Sequence, residues 1–107
     1  MALNKDKIFK AADKAIRANK IEKAIKEYET WLNESPRDWN IVRQVGDLYS
    51  RVGRRDEAIK KYALVADHFK RDGFNVRAIA THKMILRLDS HNEAAMRNLA
   101  ELQATRK

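Results

Sequence analysis

Two parts of the chain resemble each other, and this internal repeat limits the possible folds more than any other feature. Residues 43–49 (RQVGDLY) align with residues 97–103 (RNLAELQ), and residues 21–36 align with residues 75–90. Apolar residues recur three and four positions apart in these stretches, which is the spacing of one face of an α-helix. A repeated helical unit buries its apolar face against its neighbours, so the repeat predicts a stacked array of helices.

Composition limits the class of protein further. The 107 residues suffice for one ordinary domain, and the net charge of +8 favours acidic partners. There is no cysteine, which excludes disulfides and thiolate metal sites and fits a reducing compartment. The apolar runs are too short to span a bilayer, and charges interrupt the N-terminal stretch too often for a signal peptide. We therefore expect one cytoplasmic domain, residues 1–107, without a membrane span.

Turn residues divide the chain into helical segments. The single proline is Pro36, the three glycines are Gly46, Gly53 and Gly73, and no run alternates at period two over the length of a strand. The sequence predicts an all-α protein of six helices, at residues 4–18, 21–33, 39–52, 56–71, 75–88 and 93–105. The connections are short, so successive helices form antiparallel hairpins. We expect these hairpins to stack into a right-handed superhelix.

The residues around the turns resemble the tetratricopeptide repeat family, whose unit of about 34 residues is a helix, a turn and a second helix. The clearest match runs from residue 39 to 65, where Gly46 and Tyr49 stand at the small and aromatic places of the first helix, and Ala58 and Tyr62 at those of the second. The matching residues of the flanking units are Ala12, Ala15, Asn19, Ala24, Tyr28 and Pro36, and then Gly73, Ala78 and His82.

The spacing of the turns departs from a regular array. Gly53 follows Asn19 by one full unit of the family, whereas Gly73 follows Gly53 after little more than half a unit. The simplest interpretation is that the fourth helix belongs to two units. The predicted units are then residues 5–38, 39–71 and 56–92, followed by a C-terminal capping helix at residues 93–107. The shift that aligns the two similar parts of the chain is thus the sum of one full repeat unit and one shortened unit.

The resemblance implies a protein-binding scaffold rather than an enzyme, with no cofactor. In that family, part of each first helix faces a concave groove that holds a partner peptide or helix. The candidate partner-binding residues at such places are Phe9, Asp13, Arg17, Arg43, Asp47, Arg51, Asp67, Arg71 and Arg97. An alternative for Asp13, Asp47 and Asp67 is an ion pair with the arginine four residues later, which supports only its own helix. Phe9 is either an anchor for a peptide or a packing contact with the second helix.

The first helix also carries a basic face made of Lys7, Lys10 and Lys14. This face is either a soluble N-terminal cap, which repeat arrays need, or a site for an acidic partner. Nucleic-acid binding through it is the alternative function, but Asp6 and Asp13 interrupt the basic run, which favours a protein partner.

Neither a catalytic motif nor a metal-ligand spacing occurs in the sequence. His68, His82 and His91 have no histidine or cysteine at ligand spacing, so packed or solvated side chains are the simpler interpretation. The sequence is compatible with a monomer or with a weak homodimer that forms through the outer face of the last helix. Leu99 is the residue whose substitution would test the homodimer.

Overall fold

The computed structural model describes residues 3–105, and these form α-helices joined by turns, without a β-strand. The helices are α1 (Lys5–Arg17), α2 (Ile21–Glu34), α3 (Trp39–Arg51), α4 (Arg55–Arg71), α5 (Asn75–Leu88) and α6 (Glu93–Ala104). Every boundary lies within one residue of its prediction. The all-α class and the six helices that the repeat predicts are therefore confirmed for this part of the chain.

Asparagine side chains cap two of the helices. The Oδ1 atom of Asn4 accepts a hydrogen bond of 3.1 Å from the backbone N–H of Lys7 at the start of α1. Asn92 does the same for the N–H of Ala95 at the start of α6, at 2.9 Å. Each cap satisfies one of the backbone donors that the first turn of a helix leaves without an intrahelical partner.

Three turns share one backbone geometry. The chain is in the left-handed conformation at Asn19 (φ 58°) after α1, at Gly53 (φ 79°) after α3 and at Gly73 (φ 80°) after α4. At each turn the next N–H donates to the carbonyl five residues earlier, as in the bond of 2.9 Å from Arg54 to Tyr49. This is the Schellman motif, which glycine adopts without strain because it lacks a Cβ atom.

The turns after α2 and α5 share a second geometry, and they occupy equivalent places in the sequence repeat. The N–H of Ser35 donates to the carbonyl of Trp31 at 2.9 Å, and that of Asp89 donates to Ile85 at 2.8 Å. Further on, Asp38 donates back to Ser35 at 3.2 Å and Asn92 donates back to Asp89 at 3.1 Å. The repeat seen in the amino-acid sequence is therefore also a repeat of backbone hydrogen bonds.

The chain divides into two compact units between Ala58 and Ile59, inside α4. In the first unit, α1 and α3 both pack against α2, and the small residues Ala12 and Ala24 are fully buried. Small side chains allow the helix axes to approach closely, and the larger buried residues Ile25, Tyr28 and Val45 fill the remaining space.

In the second unit, α5 packs against α6. Its core cluster consists of Ala78, Ile79 and Leu102, and Phe69 from α4 and Leu99 from α6 pack against that cluster. Leu99 is therefore a core contact, which makes it unsuitable as the outer-face probe for a dimer. The large apolar side chain that is exposed on the same helix is Met96.

Four apolar residues of α4, namely Ala58, Tyr62, Val65 and Ala66, are buried. Buried residues therefore extend from the first turn of α4 to beyond its middle. The assignment of α4 to two repeat units stays a prediction. None of the helices in residues 3–105 combines the length and the apolar character that crossing a membrane requires.

Candidate interaction surface

Two of the predicted acid and arginine pairs form within their own helices. In α1 the carboxylate of Asp13 lies 2.6 Å from the guanidinium of Arg17, and in α4 Asp67 lies 3.2 Å from Arg71. All four side chains are exposed. Each pair supports its helix by about 0.2–0.5 kcal/mol.

The pairing of Asp47 differs from the sequence prediction. Its carboxylate accepts a hydrogen bond of 3.1 Å from Arg43, one turn before it in α3, whereas the sequence paired it with Arg51, one turn after it. Both arginines lie four residues from Asp47, so spacing alone does not choose between them. Arg51 is the last residue of α3, where the partial negative charge of the helix end favours a cation.

Arg51 borders an open cleft of about 440 Å³ at the turn between α1 and α2. The lining residues are Asn19, Lys20, Ile21, Glu22, Lys23, Arg51 and Val52. The carboxylate of Glu22, the one acidic group of the lining, lies 3.0 Å from the guanidinium of Arg54, which also pairs with Glu57. Within residues 3–105, neither the two lysines nor Arg51 forms an ion pair, so the cleft presents positive charge. The sequence signal for this cleft was weak, because its cations come from separate segments.

Phe9 packs against the second helix, which is one of its two predicted roles. Its half-buried ring meets the rings of Tyr28 and Trp31 edge to face, with centroids 5.6 and 5.8 Å away. The ammonium group of Lys5 lies 5.2 Å from the centroid of Phe9 and 5.3 Å from that of Trp31. Both distances are within the range of cation–π attraction.

A carboxylate completes this group of side chains. The Nε1–H of Trp31 donates to Oδ2 of Asp38 at 2.9 Å, and the same oxygen lies 3.7 Å from the ammonium of Lys5. Asp38 precedes α3, so the contact joins the start of α1 to the turn between α2 and α3. Lys5, Trp31 and Asp38 were absent from the predicted site. The available signal was the i, i+4 spacing of Lys5 and Phe9 on α1.

A second polar cluster joins α2 to α3. The hydroxyl of Tyr49 donates to Oε2 of Glu29 at 3.1 Å, and the guanidinium of Arg54 lies 4.8 Å from the Tyr49 ring centroid. Burial and the nearby charge of Glu29 raise the pKa of Tyr49. Tyr49 therefore stays a protonated hydrogen-bond donor at neutral pH, which is the role expected of a buried tyrosine.

The remaining charged candidates are solvent-facing. Lys7, Lys10 and Lys14 on α1 and Arg97 on α6 are exposed, and none of them has an ion-pair partner in the described part of the chain. Glu101 on α6 pairs with Lys70 on α4 at 3.5 Å. Six of the predicted partner-binding residues lie in the first compact unit, whereas Asp67, Arg71 and Arg97 lie in the second.

His82 is the one buried histidine of residues 3–105. Its side chain is 5% exposed, and its Nδ1 atom has no hydrogen-bond partner. Burial, and then the positive charge of Lys70, lower the pKa of His82. Groups of three or more metal-ligating side chains are absent from the described residues. The geometry of His82 is that of a core residue at the place where Tyr28 stands in the first repeat unit.

The helical hairpins, the repeated turns and the charged outer faces define a helical repeat domain. The chain belongs to the family described as the bacterial transcriptional activator domain, whose family model matches residues 6–101. This family has a helical fold similar to that of tetratricopeptide repeats, which agrees with the resemblance in the turn residues. A comparison of the chain with curated proteins finds no match.

Proposed function

We propose that this chain is a non-catalytic interaction domain of a transcription regulator, and that it binds a partner protein as a peptide or a helix. The observation that carries this proposal is the family match over residues 6–101. A helical repeat offers a rigid, extended surface, which is the usual basis of peptide and helix recognition by such folds. The family description supplies the setting in transcription, and the partner class is our own inference.

The proposed surface is the groove-facing side of α1 and α3 in the first unit. On α3 it includes Arg43, Asp47 and Arg51, and on α1 it includes Asp13 and Arg17. The pairs of Asp13 with Arg17 and of Asp47 with Arg43 place both signs of charge on this surface, which favours a partner with a complementary pattern of charges. Arg51 borders the positive cleft, where it is available to a carboxylate of the partner.

Charge reversal on α3 tests this surface. We expect Arg43→Glu combined with Arg51→Glu to weaken capture of the partner from extracts of the source cells at least about tenfold, which corresponds to about 1.4 kcal/mol. The matched control is Lys83→Glu with Arg87→Glu on α5, since both side chains are exposed and the change in charge is the same. Capture is quantified by mass spectrometry, and thermal melts verify that both variants fold.

Two outcomes contradict the proposal in different ways. Equal loss in the test and control variants would mean that net charge, rather than the α3 surface, attracts the captured proteins. Absence of any protein retained by the wild-type domain over a blank support would contradict the interaction function itself.

The second candidate function is attraction of nucleic acid or another acidic surface to the basic face of α1. The observation in its favour is that Lys7, Lys10 and Lys14 are exposed and without ion pairs within residues 3–105. A gel-shift titration across salt concentrations tests it against the triple lysine-to-glutamine variant. If these lysines bind phosphates, the slope of log affinity against log salt falls by about 0.9 for each phosphate that the variant no longer neutralises. An unchanged slope contradicts this function.

A further inference from the structure

We infer that Phe9, Trp31 and Asp38 form a cage for a primary ammonium group. Lys5 occupies this cage in the free protein, and a lysine side chain of the partner protein takes its place in the complex. The inference rests on the proposed function, since it states what the partner supplies. It begins from an observed occupant: the Lys5 ammonium lies over the rings of Phe9 and Trp31, 5.2 and 5.3 Å from their centroids, and faces the carboxylate of Asp38.

The walls of the cage are held by contacts that do not involve Lys5. The ring of Phe9 is fixed edge to face against Tyr28, which is buried in α2. Trp31 is fixed by the 2.9 Å hydrogen bond from its Nε1–H to Asp38, and this bond also orients the carboxylate. Removal of Lys5 therefore leaves two aromatic rings and one carboxylate in place, which is the arrangement that binds ammonium groups in proteins.

Lys5 itself is held loosely. Its side chain is 52% exposed, and its ammonium lies 3.7 Å from Asp38, beyond ordinary hydrogen-bond distance. Lys5 is also the first residue of α1, so its side chain leaves the cage without disturbing the rest of the helix. The occupant is therefore exchangeable, whereas the walls of the cage are rigid.

The chemistry of the cage favours lysine. A compact ammonium with three N–H donors can face both rings and still donate to the free lone pairs of Asp38. The displaced Lys5 stays attached to α1 and turns toward solvent, and the carboxylate of Asp38 offsets the charge of the incoming ammonium. A partner that offers an acidic segment to the Arg51 cleft and a lysine to the cage would complement both features.

The experiment uses n-butylammonium chloride as the probe and the indole N–H resonance of Trp31 in NMR spectra as the readout. The resonance is assigned with Trp39→Phe. Lys5→Ala empties the cage because a methyl group is too short to reach the rings, and Lys10→Ala is the matched control because it removes the same charge from an exposed position of α1. Sodium chloride keeps the ionic strength constant, and n-butanol replaces the probe in a neutral control.

Removing an occupant raises the apparent affinity of a site by the reciprocal of the fraction of time for which the site was free, so an occupant present half of the time gives about a twofold gain. We therefore expect the shift of the Trp31 resonance per unit of probe to be at least about twofold larger in Lys5→Ala than in the wild type or Lys10→Ala. Adding Asp38→Asn to Lys5→Ala should remove most of that gain.

Equal slopes in the three proteins, or an equal response to n-butanol, overturn the cage. Partner capture by the same variants separates this failure from failure of the proposed function. If capture by the wild type persists while n-butylammonium gives no specific shift, the interaction domain stands and only the cage is wrong.

Discussion

The buried histidine of the second unit makes a specific prediction about stability and pH. Burial and Lys70 lower the pKa of His82 from its usual value of 6.5. The unfolded chain therefore binds a proton at a higher pH than the folded protein does. The stabilising effect of a neutral His82 is complete above pH 6.5 and is lost progressively as the pH falls below that value. For one group, the slope is at most about 1.4 kcal/mol per pH unit.

The substitution His82→Phe removes this titration. At pH 7.5 its effect on stability combines two opposing contributions. The unmade hydrogen bond at Nδ1, which costs about 1–3 kcal/mol, disappears, while the larger ring adds a packing cost of similar size. Absolute stability at pH 7.5 is therefore a poor readout, and the dependence on pH is a good one.

The assay is urea unfolding followed by far-UV circular dichroism between pH 5 and pH 7.5. Fluorescence is unsuitable because Trp31 and Trp39 both lie in the first unit. The wild type should lose stability toward low pH, and His82→Phe should lose less of it. The control His91→Gln removes an exposed histidine and should follow the wild type. If His82→Phe keeps the full wild-type slope, then His82 is not the group that responds, and our reasoning about its burial is wrong.

Three further predictions concern packing and association. Gly53→Ala should destabilise the fold by about 1–2 kcal/mol in urea unfolding, because the left-handed backbone (φ 79°) strains any residue with a Cβ atom. A steric clash adds nothing to this cost, since no atom lies within 4 Å of an added Cβ. Asn19→Gly should not destabilise the fold, because glycine adopts the same conformation without strain. Ile85→Ala should cost about 2–5 kcal/mol, since Ile85 is fully buried, and a cost below about 1 kcal/mol would contradict that burial. If a homodimer forms through α6, Met96→Glu should dissociate it in light scattering, and an unchanged dimer mass would exclude this face.

The helices were predictable because local signals agreed with the fold. Asn4 and Asn92 mark helix starts through their caps, and Gly53 and Gly73 mark turns that need a left-handed residue. Even the non-glycine turn at Asn19 was predictable from its alignment with Gly53. Each of these signals lies within a few residues of the helix end that it determines. They can therefore be recognised in a single sequence without knowledge of the tertiary contacts.

The side-chain site was less predictable, because its contacts depend on how helices face each other. The sequence prediction paired Asp47 with Arg51 instead of Arg43, because the two arginines share the same spacing from Asp47. The hydrogen bond from Trp31 to Asp38 depends on the path of the turn between α2 and α3. Spacing predicts which residues share a helix face, but it does not predict which residue of a neighbouring segment they meet.

The most direct test of the interaction function is photocrosslinking from defined positions. A benzoylphenylalanine residue replaces Val52, which lines the positive cleft, or Arg87 on α5, and the domain is irradiated in extracts of the source cells. Our account predicts that position 52 yields a discrete crosslinked partner, that position 87 does not, and that Arg43→Glu reduces the yield at position 52. Equal crosslinking from both positions, or none from position 52, would contradict it.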